Sequence, residues 1–270
     1  GLVDVYKRQG LNSVVVFSPE EEEITKGPPG SRRRFFNKVF SICSRAYLEK
    51  LLTYNKILKQ RNAILRNNYK KQKIAEQLEI WSEPLAEGGE KLWGERKLLI
   101  EEFADGFVET AKELDEKITA TITYKENETD KAKILQKIKN NNKQDIKNGF
   151  TSYGPHRDEV LFLWNKKGIR KHGSQGEHKL FLALLKITEL LFLFKKTKKN
   201  PVFLIDDLFA GLDEERSKKL LSFVGKLQSE SKKTPQTIIT TTDFVGLEKN
   251  GFFLGFEQVK KHHMHKNGNP

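Results

Sequence analysis

The sequence has a single cysteine and no long uninterrupted apolar run. Because Cys43 is the only thiol, the chain cannot form an internal disulfide, and it holds no CxxC pair for zinc. Its longest apolar stretch, Leu180 to Phe194, is interrupted by Lys186, Thr188 and Glu189, which excludes a bilayer-spanning helix there. No N-terminal segment shows the charged-then-apolar pattern of a secretory signal. We therefore expect a cytoplasmic protein with no membrane partner.

Positive charge is in excess and is unevenly distributed. The formal net charge is +13; residues 31–80 hold 13 Lys or Arg against three acidic residues, whereas residues 81–130 hold 14 acidic and six basic residues. Such blocks are typical of a protein with one surface for a polyanion and another that must avoid it. Two solvated helices that pair their charges would give the same pattern, and a basic patch also suits anionic lipid or an acidic protein. Charge alone leaves nucleic-acid binding open.

The N-terminal segment predicts a leader and then a strand. The first nine or ten residues, GLVDVYKRQ, fit no periodicity and resemble translated adapter sequence, so we assign residues 1–10 to a non-native leader. Ser13 to Phe17 is a β-branched run closed by Ser-Pro, which is typical of a strand that leads into a loop.

A long helical arm is predicted next, over residues 30–116. From Ser31 to Leu65 the apolar residues recur at steps of three, four and seven, which predicts one continuous helix. Pro84, the only proline between Ser31 and Asn148, predicts that a second helix runs back from about residue 85 after a join near Trp81–Pro84.

Strands and helices alternate after the arm, which predicts an α/β sheet. The predicted strands lie near residues 118–124, 159–164, 202–205 and 237–241, and the predicted helices near residues 131–147, 177–195 and 214–229. We assign residues 11–29 and 117–258 to one head and residues 259–270 to a basic, His-rich tail, for which fraying is the expected state.

The most informative stretch for chemistry is VFLIDD, at residues 202–207. An apolar strand that ends in consecutive carboxylates is how P-loop NTPases hold Mg²⁺ and polarise water. Asp206 would bind the metal, and Asp207 would lie where the attacking water is oriented. Many strands also end in Asp only to cap a loop.

Small residues open the helix that precedes this strand. In GSQGE, the hydroxyl of Ser174, the backbone N–H of Gly176 and a helix N-terminus together suit a phosphate group. The same residues also suit a simple helix cap. Further on, GLD follows the two carboxylates, and TTTD ends the last predicted strand.

In this order, the motifs resemble those of ABC-type ATPases of the SMC-like branch, and more narrowly those of the RecF family of bacterial DNA repair proteins. The resemblance covers about residues 11–255 and includes the stretches VVVFSPE, GSRRRFF, QRNAIL, YGPHRD, GSQGE and LIDDLFAGLD. It implies an α/β fold, namely an ABC-type P-loop ATPase head, incomplete at its N-terminus, with the inserted helical arm as a second lobe.

The resemblance also implies roles for individual residues. The signature motif, which in the family contacts the nucleotide held by the opposite subunit, matches Ser174, Gln175, Gly176 and Glu177. Glu177 stands where the motif often has glutamine. The Walker B carboxylates match Asp206, as metal ligand, and Asp207. The D-loop and the switch match Asp213, Thr242 and Asp243.

One family motif is missing. The sequence contains no GxxxxGK[ST], whose lysine and backbone N–H groups hold the β- and γ-phosphates and which the family carries near its N-terminus. We therefore expect an N-terminally truncated fragment that hydrolyses no ATP by itself.

The implied function is an ATP-dependent DNA-binding clamp in recombinational repair and replication, which recognises gaps, helps to load recombinase and supports SOS induction. The implied cofactors are ATP and Mg²⁺, and the implied partners are double- and single-stranded DNA, a second copy of the chain in an ATP-dependent homodimer, and the RecO and RecR mediator proteins. Two alternatives remain: another SMC-like repair ATPase, which the short arm disfavours, and a DNA-binding or dimerisation module without nucleotide chemistry.

Two groups of cations are candidates for DNA contacts. Arg32, Arg33 and Arg34 fall in a first helical turn, where the helix dipole disfavours cations, so an anionic partner is one explanation and pairing with Glu20–Glu23 is the other. A stripe along the arm is the second group, and we call it the basic stripe: Lys59, Arg66, Lys70 and Lys73. His156 and Arg157 receive no role from the sequence.

Overall fold

The computed structural model describes residues 13–66, 74–125, 130–206, 214–229, 236–241 and 259–260. Its strands are β1 (Val14–Phe17), β2 (Ala120–Tyr124), β3 (Val160–Trp164), β4 (Lys167–Gly168), β5 (Val202–Asp206) and β6 (Thr237–Thr240). Its α-helices are α1 (Glu23–Lys26), α2 (Pro29–Cys43), α3 (Arg45–Arg66), α4 (Ile74–Leu114), α5 (Lys131–Asn140), α6 (Asn142–Asn148), α7 (Ile169–His172), α8 (Gln175–Thr197) and α9 (Glu214–Ser229). Short 3₁₀ helices span Pro19–Glu22 and Pro155–Arg157.

The predicted continuous helix from Ser31 to Leu65 is wrong, because the chain breaks at Ser44. Ser44 adopts an extended conformation (φ −136°, ψ 111°), and its N–H donates to the carbonyl of Phe40 at the end of α2. Its hydroxyl accepts the N–H of Tyr47 at 3.1 Å, which caps the first turn of α3. The apolar seam crosses the break, so periodicity alone predicts one helix where two stand end to end.

The predicted join near Trp81–Pro84 is also wrong, since α4 runs through Pro84 over 41 residues. A proline inside a helix removes one backbone hydrogen bond and strains the preceding turn. Here the buried seam of α4, which includes Leu78, Leu85 and Leu92, continues across the proline. Packing of that seam therefore outweighs the local cost.

In the part of the chain that the structure describes, two sheets of three strands together with the helices confirm the α/β class. In the first sheet the order is β1-β5-β6 and all three strands are parallel, so their carboxyl ends meet at one edge. In the second sheet β2, β3 and β4 are antiparallel neighbours. The β3–β4 turn places Asn165 and Lys166 at positive φ. Within the described ranges, no helix is long and apolar enough to cross a membrane.

One hydrophobic cluster joins α2 and α4 to β3 and α8. Phe36 of α2 packs edge-on against Phe103 of α4 at 5.3 Å between ring centroids, and Phe162 of β3 lies 4.9 Å from Phe181 of α8. Phe36 and Phe162 also make contact, at 6.3 Å. The division into lobes at residues 30 and 116 stays a prediction.

Candidate functional site

Asp206 lies at the shared carboxyl edge of the parallel sheet, as the sequence predicts. It is the last residue of β5, its side chain is exposed, and its register partner on β6 is Thr240. The Thr240 hydroxyl donates a hydrogen bond to Asp206 Oδ1. Carboxylate and hydroxyl oxygens are ligands that Mg²⁺ prefers, and Mg²⁺ is typically held by one or two carboxylates, phosphate and water. Among the described residues no group of three or more His, Cys, Asp or Glu side chains is arranged to hold a metal ion. Asp206, with the Thr240 hydroxyl, could supply one of the protein ligands of such a shared site.

The signature residues open α8. Ser174 is the N-cap: its Oγ accepts the N–H of Glu177 at 3.3 Å, while Glu177 Oε2 accepts the N–H of Ser174 at 2.7 Å. This reciprocal capping box explains why Glu177 is acidic: its carboxylate accepts a backbone N–H, and the helix dipole stabilises a negative charge in the first turn. Ser174 and Gln175 are exposed and Gly176 is half-buried. Since Ser174 Oγ only accepts within the cap, its own proton stays free to be donated to an anion.

Several predicted site residues lie outside the described residues. They are Lys70, Lys73, Asp207, Asp213, Thr242 and Asp243.

Arg32 does not belong to the DNA-binding surface that the sequence predicts. It is 4% exposed, its Nε donates to the carbonyl of Val160 at 2.7 Å, and its Nη1 donates to the carbonyl of Gly27 at 3.2 Å. Burial lowers the pKa of this guanidinium. Arg32 therefore holds α2 against β3, and we leave it out of the surface proposed below.

Arg33 and Arg34 differ from Arg32 in exposure. Arg33 is half-buried, and its Nη1 donates to the backbone carbonyl of Asp158. Arg34 is exposed and pairs with Glu23 at 3.2 Å, which is the upstream pairing that the sequence left open. Exposed pairs of this kind contribute little to stability, so Arg34 remains available to a polyanion.

Two residues of the basic stripe, Lys59 and Arg66, lie on the exposed side of α3. Lys59 and Arg66 are exposed, whereas Arg61 is fully buried. Arg61 donates to Asp145 at 2.7 Å and to the Thr151 hydroxyl at 2.6 Å, so it ties α3 to α6 and to the segment that follows α6. One face of α3 is therefore attached to α6 through Arg61, and the opposite face carries the exposed cations Lys59 and Arg66.

Sequence reasoning missed a buried polar cluster around Asp158, which we call the Asp158 hub. The carboxylate of Asp158 accepts hydrogen bonds from Trp93 Nε1 and from Arg96 Nη1, each at 2.6 Å, and from the Tyr124 hydroxyl. Arg96 Nη1 also donates to the carbonyl of Pro155 at 2.7 Å. Burial raises the pKa of Tyr124 well above its usual range, and the Asp158 charge raises it further. One signal was present in the sequence, because Arg96 falls on the apolar seam of α4.

His156, which had no predicted role, is a second buried link. Its Nε2 lies 2.9 Å from the carbonyl of Thr151, which can only accept, so Nε2 carries the proton and Nδ1 accepts from the Tyr54 hydroxyl at 2.7 Å. Burial lowers the pKa of His156 to about 4. Gly154, at φ +142°, lets the chain approach Tyr54, since a Cβ there would overlap the hydroxyl. YGPHRD therefore bonds to α3 through Tyr54 and to α4 through Arg96.

A buried ion-pair cluster connects α8 to the segment after β1. Lys186 and Glu189 are 1% and 0% exposed, and the Lys186 ammonium lies 2.6 Å from the Glu189 carboxylate. The same ammonium also pairs with the carboxylate of Glu21. Burial raises the pKa of Glu189. These are the polar residues that interrupt the apolar run, so the interruption marked an internal pair.

The chain is similar to known proteins of the family that its motifs resemble. No family model matches the chain. The chain is 34% identical over 272 residues to the DNA replication and repair protein RecF of Prosthecochloris aestuarii, covering 97% of this chain and 70% of that protein. It is 34% identical to RecF of Lachnoclostridium phytofermentans, covering 89% of this chain and 64% of that protein.

The fold agrees with solved structures. The structure of the recombination mediator protein RecF with ATPrS, in the RecFOR pathway, matches 88% of this chain with a TM-score of 0.74 at 29% identity. The corresponding RecF–ATP structure matches 87% with a TM-score of 0.73. The chain spans 64–70% of the length of these two relatives and about two thirds of the two solved chains. This similarity, over nearly the whole chain and in both sequence and fold, confirms the ABC-type ATPase class and shows that the chain belongs to the RecF family of DNA replication and repair proteins.

Proposed function

We propose that the chain is the head and arm of an ATP-controlled DNA clamp that acts in recombinational repair and replication in the cytoplasm. Family membership and the similarity to ATP-bound RecF support it. The observation that carries the nucleotide part is the exposed Asp206 at the carboxyl edge of three parallel strands, with the Thr240 hydroxyl bonded to it. Gap recognition, help in recombinase loading, SOS induction and contacts with RecO and RecR belong to the same proposal.

The proposed nucleotide roles divide between two copies of the chain. Asp206 would ligate Mg²⁺ and Asp207 would orient water, while Ser174 would donate its hydroxyl to the phosphate of a nucleotide held by the second copy in an ATP-dependent homodimer. We also propose that Asp213 crosses the dimer interface and that Thr242 and Asp243 form the switch. Bound ATP would supply the negative charge that draws the two copies together.

These 270 residues contain no GxxxxGK[ST], so they do not include a cradle for the β- and γ-phosphates. We therefore expect no phosphate release from ATP by the purified chain above that of a blank, and the same result for Asp206→Asn. Turnover that Asp206→Asn abolishes would contradict this prediction.

The DNA part of the proposal can be tested directly on this chain. Arg33, Arg34 and the basic stripe are the proposed contacts, to duplex and single strands alike. Each phosphate that a cation neutralises adds about 0.9 to the slope of log affinity against log salt on duplex DNA. Replacing Lys59, Arg66, Lys70 and Lys73 together by alanine should therefore reduce that slope by about three to four.

The measurement is fluorescence anisotropy of labelled duplex DNA over a series of salt concentrations. A matched control removes the same charge from exposed lysines elsewhere, namely Lys91, Lys112, Lys117 and Lys195. An unchanged slope in the stripe variant, or an equal loss in the control, would reject the stripe. No change in anisotropy with the wild type at the lowest salt concentration would reject DNA binding by the chain.

A further inference from the structure

Phe150 is an exposed aromatic residue beside an arginine. It exposes 38% of its surface, and it stands just after Gly149, which ends α6 at φ +74°. The Arg157 guanidinium lies over the Phe150 ring, 4.6 Å from its centroid, and Arg157 is itself exposed. Exposed aromatic rings are the groups on which the bases of single-stranded nucleic acid stack, and a neighbouring arginine adds a cation–π contribution.

The backbone around this ring is held rigidly. Thr151, the next residue, donates its N–H to Asn62 Oδ1 at 2.8 Å, and its carbonyl accepts from His156 and, at 3.3 Å, from Arg157. Ser152 donates its N–H to Asp145 at 2.9 Å. Because the segment is already ordered, binding a ligand to the ring costs little further conformational entropy.

The charge around the ring is mainly positive. Lys143 and Lys147 are exposed on α6, which ends next to Phe150, and Arg33 is near enough to Arg157 for their charges to interact. Asp145 is buried and paired with Arg61, so its charge is neutralised internally.

Two other groups complete the electrostatic environment. Lys137 lies over the Tyr153 ring at 5.4 Å, next along the chain from the segment that holds Phe150. Asp158 and Glu159 are the carboxylates that act on Arg33; Asp158 is buried and paired with Arg96, and Glu159 is exposed. The described cations outnumber these carboxylates.

Lys59 and Arg66, the described residues of the basic stripe, lie on the flank of α3 next to this ring. At about 100° per residue, Asn62 is about 60° around α3 from Lys59 and about 40° from Arg66. Since Asn62 bonds Thr151, the segment that carries Phe150 borders the face of α3 that carries the stripe. A strand whose phosphates follow the stripe could place a base on the ring.

We propose that Phe150 and Arg157 form a stacking platform for an unpaired base of single-stranded nucleic acid, next to phosphate contacts at Lys59 and Arg66. The inference rests on the proposed DNA-binding function and adds a strand preference to it. Bases in a duplex are already stacked on their neighbours, so the platform favours single strands, and it tolerates any sequence because every base has a π-face.

The test measures anisotropy of a labelled oligothymidylate and of a labelled duplex with the 270-residue chain. Phe150→Leu keeps an apolar side chain and removes the ring, and it should weaken single-strand binding about 5- to 150-fold while leaving duplex binding unchanged. Phe194→Leu is the matched control, since Phe194 is 39% exposed on α8, and it should change neither. Arg157→Lys keeps the charge and should lose part of the same preference.

A double-mutant cycle separates stacking from general damage. An oligonucleotide of the same length that carries abasic sugars should bind the wild type and Phe150→Leu equally, because the base that stacks is absent. Equal loss on thymidylate and abasic strands, or no loss on either, would overturn the platform. Duplex binding without single-strand binding in the wild type would overturn the platform alone, whereas binding of neither nucleic acid would overturn the proposed DNA-binding function as well.

Discussion

Replacing Asp158 by asparagine tests whether the Asp158 hub holds the arm on the head. The carboxylate is 1% exposed and receives Trp93, Arg96 and Tyr124 from α4 and β2. Asparagine has nearly the same shape, but it removes the negative charge and turns an N–H group toward donors that need an acceptor. Arg96, whose side chain is 4% exposed, is then a buried cation without its counter-ion.

The magnitude follows from what Arg96 keeps. Breaking a buried ion pair by removing one partner costs about 3–5 kcal/mol. Arg96 retains the carbonyl of Pro155 at 2.7 Å and the Tyr47 hydroxyl at 3.1 Å, so the lower end of that range applies. We expect Asp158→Asn to lower the free energy of unfolding by about 3 kcal/mol.

Urea unfolding at neutral pH, followed by tryptophan fluorescence and by circular dichroism, measures this loss. Glu159→Gln is the matched control, because its side chain is the exposed neighbour of Asp158 and its removal should cost less than about 0.5 kcal/mol. The double variant Arg96→Met with Asp158→Asn should be less destabilised than the sum of the single variants by at least about 1 kcal/mol. A loss below about 1 kcal/mol for Asp158→Asn, or strict additivity, would refute the assignment.

Three further predictions concern the same junction and the arm. Gly154→Ala should cost about 2 kcal/mol or more in urea unfolding, since the new Cβ would overlap the Tyr54 hydroxyl at a φ of +142°; equal stability with wild type would contradict this. Gly94→Ala, in an open part of α4 with nothing within 4 Å, should instead stabilise by about 0.5–1 kcal/mol, and a loss there would show that the helix is packed at that point. Because burial lowers the pKa of His156 from 6.5 to about 4, the unfolded chain binds a proton that the folded chain refuses between those values. The stability that neutral, buried His156 contributes is complete above pH 6.5 and is lost as the pH falls toward 4, by at most about 3 kcal/mol. The urea midpoints of wild type and His156→Asn should therefore converge as the pH falls, and midpoints that stay parallel would refute this prediction.

Periodicity predicted most elements after the arm because each of those segments satisfies one local rule. The alternating stretch before Tyr124 is β2, the stretch that ends at Asp206 is β5, and α8 begins where Ser174 and Glu177 form a capping box. These elements are defined by contacts between residues close in sequence or by the alternation of side chains along a strand, so a pattern in the sequence predicts them.

Local rules failed where a side chain changed the outcome. Ser44 breaks the arm by capping α3, although the apolar spacing continues across it. Pro84 fails to break α4, because tertiary packing on both sides compensates for one missing hydrogen bond. Arg32 and Arg34 occupy the same helical turn, yet one is buried on backbone carbonyls and the other is exposed. Charge patterns in sequence do not distinguish these two environments.

The motifs that carry the family resemblance outside the nucleotide site meet at one place in the fold. QRNAIL supplies Arg61, GSRRRFF supplies Arg33, and YGPHRD supplies His156 and Asp158, and each of them bonds across the junction between arm and head. Resemblance in these stretches therefore predicts how the arm is attached, more directly than it predicts chemistry. Lys59 and Arg66 lie on α3 beside the segment that carries Phe150, and α3 cannot rotate without breaking the buried pair of Arg61 with Asp145. We therefore expect α3, with Lys59 and Arg66, to move together with α6 if DNA binding moves either helix.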